Sequence, residues 1–129
     1  MPVKNDGTCF ACGSKNEYGL RLKITTTANG VEFVFTPPER FQGWEGMVHG
    51  GIVATMLDEL IAWACSSLGV NAVTGELTVR YRQPLLVGRP IRGVGRVVAR
   101  KGRLLAGESR LLDETGRIIA EANGKMMEV

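Results

Sequence analysis

Two features of this sequence have residue types suited to chemistry at a carbonyl group. His49-Gly50-Gly51 opens a segment without proline, and Asp58 follows it. Glycines in the first turn of a helix let an oxygen come close to the free N–H groups there. The partial positive charge of a helix N-terminus adds to the attraction. A donor so placed can stabilise a developing oxyanion, worth roughly 100- to 1000-fold in rate. The carboxylate of Asp58 can serve as general base or nucleophile. The plainer readings are a Gly-Gly turn, a surface His49 and a solvated Asp58.

The segment from 49 to 68 is rich in Ala, Leu and Met, has no glycine after Gly51, and is followed by Gly69. This composition predicts one helix of about five turns. With Asp58 at zero on a helical wheel, Gly51, Ala54, Ala62 and Cys65 fall within about 40° of it. The opposite side carries Ile52, Val53, Met56, Leu60 and Trp63. One face is therefore bulky and suited to a sheet. The other is small, with one carboxylate, and open to a ligand or a second backbone. Glu59 is expected to be the exposed acid of the pair. His49 and Asp58 stand about 180° and 13.5 Å apart on a single helix. They cannot easily flank one reacting carbonyl within one chain. If both serve the same reaction, the spacing predicts a dimer whose antiparallel helices meet on their small faces.

The flanking segments read as strands. Leu20–Thr25 alternates apolar and polar residues, Asn29-Gly30 signals a two-residue hairpin turn, and Val31–Phe35 resumes the alternation up to Pro37-Pro38. After the helix, strands are expected over Val73–Gln83, Ile91–Ala99, Leu104–Leu112 and Arg117–Glu128, with a turn at Asp113-Glu114-Thr115-Gly116. Short connections imply antiparallel pairing. The fold class is α+β, one long helix against an antiparallel sheet. Residues 1–20 read as an irregular lead-in and 21–129 as one domain.

The totals narrow the function classes. A chain of 129 residues is one domain that needs no metal or disulfide staples. Its 17 glycines suggest many tight turns. A net charge of +3 without a basic cluster argues against nucleic-acid and membrane partners and is compatible with a small anionic ligand. Three cysteines, an odd number, form no disulfide framework. With no leader-like N-terminus or long apolar run, a cytoplasmic setting is expected.

The stretch Gly46-Met47-Val48-His49-Gly50-Gly51-Ile52-Val53-Ala54-Thr55-Met56-Leu57-Asp58-Glu59 resembles the central-helix motif of hotdog-fold thioesterases of the PaaI type. Thr74–Pro84 is similar to the strand that follows that helix, and Asp113–Arg117 with Ala120 to the last hairpin. Cys9-Phe10-Ala11-Cys12-Gly13, with Asn16 and Gly19-Leu20, is similar to the lead-in of one subgroup. The resemblance spans nearly the whole chain. It implies a sheet wrapped around the helix, a homodimer or a homotetramer built from two dimers, acyl-CoA as substrate, and two sites at each dimer interface. It implies that the Gly50 N–H donates to the thioester carbonyl, with Gly51 beside it. His49 would orient substrate or water, and the partner's Asp58 would act as general base or nucleophile. Thr74 would sit beside that carboxylate. No cofactor or metal is implied. The sequence departs from the pattern at Gly43, where several members carry asparagine; Gln42 is the neighbouring candidate replacement.

Other features keep two readings each. Arg100, Lys101 and Arg103 at a hairpin tip would hold CoA phosphates or form a solvated basic turn. Arg80 and Arg82 alternate with Val79 and Tyr81 and are expected to face away from the helix. Cys9-x-x-Cys12 is half a zinc site, a redox pair or local packing. A zinc site drawn from the remaining thiols and imidazole would need Cys65 and His49, which belong elsewhere. Two rival functions stand beside hydrolysis: a non-catalytic acyl-CoA binder and a dehydratase acting on 3-hydroxyacyl thioesters. Trp44, Met47 and Trp63 are candidates to close the acyl pocket.

Overall fold

The computed structural model describes residues 3–129. One helix, α1 (Gly50–Ser67), packs against a six-stranded antiparallel sheet. The strands are β1 (Thr25–Thr26), β2 (Val31–Phe35), β3 (Ala72–Tyr81), β4 (Ile91–Lys101), β5 (Leu104–Leu112) and β6 (Ile118–Glu128). Their order across the sheet is β1-β2-β4-β5-β6-β3. The strand that follows the helix therefore crosses to the far edge. This is the hotdog arrangement, a curved sheet around a central helix.

The helix lies close to the central strands because glycines there leave room for it. A Cβ built at Gly95 in β4 would lie 2.9 Å from the Leu60 backbone oxygen, and one at Gly107 in β5 would lie 2.5 Å from Ile61 Cγ2. The expectation that the glycines mark turns is thus only partly right. Several form a floor without side chains, against which Leu60 and Ile61 are fully buried. The buried Ser109 hydroxyl on β5 donates to the Leu57 carbonyl at 2.8 Å, tying the helix to the sheet one residue before Asp58.

The buried side of α1 consists of Val53, Met56, Leu57, Leu60, Ile61, Ala64 and Cys65. This corrects the helical wheel in three places. Cys65 belongs to the core, whereas Ile52 and Trp63 are only half-buried. Glu59 is half-buried too, and its Oε1 accepts a 3.0 Å hydrogen bond from Trp63 Nε1. The reason is that the N-terminal lead-in covers this flank.

The strand expected over Leu20–Thr25 is also corrected. Only Thr25–Thr26 pair with β2. Leu20 and Leu22 are buried and Arg21 is exposed, so the alternation reports burial correctly. Their N–H groups, however, donate to Phe10 O and Ala11 O of the lead-in, and Arg21 takes a positive φ of 55°. The loop to β2 spans residues 27–30, longer than the two-residue turn expected. Among the described residues no helix is long and apolar enough to cross a membrane.

Candidate active site

The residues that deliver α1 are fixed by backbone pairing. Gln42 bridges Val48, and Met47 bridges Leu86. The His49 N–H donates to Phe41 O at 2.9 Å. Buried Phe41 and Val48 anchor this loop in the core. His49 is the helix N-cap, and its Nδ1 accepts from Gly51 N at 2.8 Å. With the Nδ1 lone pair used this way, the neutral imidazole carries its proton on Nε2. Ile52 and Val53 direct their N–H groups to His49 O. Gly50 alone among these first-turn residues has an N–H without an acceptor among the described residues.

Gly50 and His49 line a cavity of about 710 Å³. Its apolar walls include Met47, Val53 and Leu85. Trp44, 82% exposed, stands at its edge. Among the described residues the lining contains no carboxylate. Tyr81, which the strand alternation pointed toward the helix without giving it a role, is part of this wall. Its hydroxyl donates to Gly50 O at 2.7 Å.

Asp58 lies elsewhere, near the edge strand β3. The half-buried carboxylate accepts a 2.6 Å hydrogen bond from Thr74 Oγ1. Pairing between β3 and β6 shifts register between Thr74 and Glu76, so a bulge at Gly75 sets the direction of Thr74. The structure thus brings Asp58 and Thr74 together, and brings His49, Gly50 and Gly51 together, but does not join the two groups.

The basic hairpin is remote from the Gly50 cavity in the same chain. Arg100 Nη2 pairs with Glu128 Oε1 at 3.1 Å, and Arg103 donates to the Glu128 backbone oxygen. Lys101 is exposed. Arg100 acts electrostatically on Cys65, fifteen residues beyond Gly50 and about 22 Å along α1. Burial raises the Cys65 thiol pKa, and Arg100 opposes the rise.

The asparagine position of the pattern also has a local account. A Cβ on Gly43 would lie 3.2 Å from His49 Cα, so a side chain there crowds the histidine. Gln42 does not enter the Gly50 cavity. Its Oε1 accepts from Gly46 N and closes the loop, and the residue lines a separate cavity with Gly51, Phe10 and Tyr18. Trp63 likewise lies away from the Gly50 cavity and lines a third, beside the lead-in. That third cavity also holds Cys9 and Cys12. Burial pushes the Cys12 thiol up to about 12, with Glu59 adding to the rise and Trp63 opposing it.

A family model described as thioesterase superfamily matches residues 45–120, a stretch that includes His49, Gly50, Asp58 and Thr74. The chain belongs to the thioesterase superfamily. Solved structures share its fold. A crystallised thioesterase superfamily protein is 23% identical with a TM-score of 0.90, over 94% of this chain and 60% of the other. The present chain therefore spans less than two thirds of that protein. The E. coli PaaI protein from the phenylacetic acid degradation operon is 20% identical with a TM-score of 0.78, over 84% of this chain and 83% of the other. The smu.793 protein of Streptococcus mutans, solved bound to acetyl CoA, is 19% identical with a TM-score of 0.78, over 84% of this chain and 88% of the other. No curated protein sequence matches this member of the thioesterase superfamily.

Proposed function

We propose that this protein hydrolyses acyl-CoA thioesters at sites shared between two copies of the chain. The supporting observation is the division of α1. An N–H without an acceptor lies beside an apolar cavity at its start, and a carboxylate held by Thr74 lies more than two turns later. A second copy with its helix antiparallel supplies the missing half to each cavity. It also brings the partner's basic hairpin toward the cavity mouth, where Arg100, Lys101 and Arg103 meet CoA phosphates. The acetyl CoA bound to the Streptococcus mutans relative supports this class of substrate.

In this reading the acyl chain lies among Met47, Val53 and Leu85, with Trp44 at the edge. The thioester oxygen accepts from the Gly50 N–H, and His49 Nε2–H orients the thioester or the water. Asp58 of the second copy removes a proton from water, whose oxygen attacks the carbonyl carbon. The C–S bond then breaks, and CoA leaves as a thiolate that takes up a proton. Alternatively Asp58 attacks directly and the resulting anhydride is hydrolysed. Release of free thiol from a panel of aryl and aliphatic acyl-CoAs tests the activity. Binding of these thioesters without thiol release would identify a binder instead. A single turnover in ¹⁸O-water tests the second route: label found in Asp58 shows an anhydride opened by water at the Asp58 carbonyl, whereas the base route puts label only in the product acid. An Asp58→Asn variant with full turnover would refute the mechanism.

A further inference from the structure

Away from these half-sites, the lead-in and α1 place two thiols and a carboxylate together. Cys9 Sγ, Cys12 Sγ and a Glu59 carboxylate oxygen all lie within 4.8 Å of one another. The geometry points to a binding site for a thiophilic divalent cation, of which Zn²⁺ is the type, held by Cys9, Cys12 and Glu59. This goes beyond the thioesterase reading and does not depend on it.

Three features of the site support this assignment. First, the Cys9–Gly13 turn is closed by Gly13 N donating to Cys9 O at 2.8 Å, so the two cysteines flank one tight bend. Position 13 must be glycine, because a Cβ there would collide with the backbone of Cys9 and Gly7. Second, the spacings are close to those of a tetrahedral zinc site. Bonds of about 2.3 Å to sulfur and 2.1 Å to oxygen place sulfur and oxygen ligands roughly 3.6 Å apart. Cys9 Sγ lies 3.8 Å from Glu59 Oε2. Third, Glu59 is already oriented. Trp63 Nε1 holds its Oε1 at 3.0 Å and leaves Oε2 on the thiol side, an outer contact of the kind that fixes a metal-binding carboxylate. The sequence alone suggested only Cys65 and His49 as completing ligands. The third ligand is instead an acid on the covered flank of α1.

All three residues are half-buried and line a cavity of about 490 Å³, which gives a cation a route in and leaves room for water as fourth ligand. Asp6 lines the same cavity, but its Oδ1 accepts from both the Thr8 hydroxyl and the Thr8 N–H. On binding, each thiol releases its proton to solvent and both sulfurs coordinate as thiolates. The cation clips the lead-in to α1 at the residue next to Asp58.

The test is titration of the full chain, reduced and freed of metal, with Co²⁺ and Zn²⁺. Co²⁺ should bind once per chain with thiolate-to-cobalt charge transfer and the visible bands of a tetrahedral site, and Zn²⁺ should displace it. Cys9→Ser and Cys12→Ser should abolish the charge-transfer band, while Cys65→Ser keeps it. Trp63→Phe should weaken binding roughly 10-fold, and Glu59→Gln by more. Absence of the charge-transfer band in the wild-type protein, or its retention in the Cys9→Ser, Cys12→Ser double variant, would overturn the assignment whatever the folding of single variants. Formation of a Cys9–Cys12 disulfide with no metal uptake by the reduced protein would also overturn it.

Discussion

The Thr74 hydroxyl donates a 2.6 Å hydrogen bond to Asp58 Oδ1, joining the edge strand to the middle of the helix. A carboxylate held by one oxygen keeps the other for water or a carbonyl carbon. Asp58→Asn is expected to lower kcat by roughly 100- to 10,000-fold. Thr74→Val keeps the shape but loses a hydrogen bond to a charged group, and should lower kcat about 10-fold. Steady-state thiol-release kinetics measure both, and an unchanged kcat in Thr74→Val would remove the hydroxyl from the mechanism.

Gly50 offers an unusually clean substitution. It is the first helical residue, where proline is well tolerated, and the preceding His49 has ψ 134°, which suits a residue before proline. Gly50→Pro therefore deletes one N–H with the helix intact. Activity should fall roughly 100- to 1000-fold. Mixing Gly50→Pro with Asp58→Asn after joint refolding should restore about a quarter of wild-type activity, because half the dimers carry one complete site of two. No recovery in the mixture would place both groups in the same chain's site or in none.

Gly95 tests the helix floor. Adding a methyl group forces α1 away from β4 at Leu60, and Gly95→Ala should destabilise the fold by about 1–3 kcal/mol in denaturant unfolding. A change near zero would mean that the helix can rise without loss.

Asp113 gives a pH signature. Its Oδ1 accepts from the Thr115 hydroxyl and from the N–H groups of Thr115 and Arg117, and the Thr115 hydroxyl does most to hold its pKa below the usual carboxylate range. A folded pKa below the unfolded one stabilises the fold above the unfolded value, and that stability is lost as the pH falls through the lowered one. Asp113→Asn should therefore lower the melting temperature at neutral pH, and the difference should close in strong acid. A difference independent of pH would exclude the charge as its source.

The helix, the later strands and the α+β class were legible because long periodic segments report burial directly. The separation of His49 from Asp58 was legible too, since helical rise and turn set it whatever surrounds them. What the sequence hid came from long-range cover. The wheel misplaced Trp63 because nothing local shows that residues 9–12 lie over the Glu59 flank. Leu20–Thr25 looked like a strand because burial alternates there, while its hydrogen-bond partners lie ten residues upstream. Tyr81 pointed the right way in the alternation, but its hydroxyl's partner, Gly50 O, is thirty-one residues away.

The glycine floor under α1 has a wider consequence. Backbone meeting side chain at van der Waals distance acts as a mechanical stop, so the axial positions of Gly50 and Asp58 are dictated by the sheet. The loop carrying Trp44 and Met47 is held at its ends, by Gln42 against Val48 and Met47 against Leu86, while the Trp44 side chain itself is exposed. In the proposed reading, substitution of the exposed Trp44 should therefore change acyl-group preference while the spacing of Gly50 and Asp58 along the helix stays as it is.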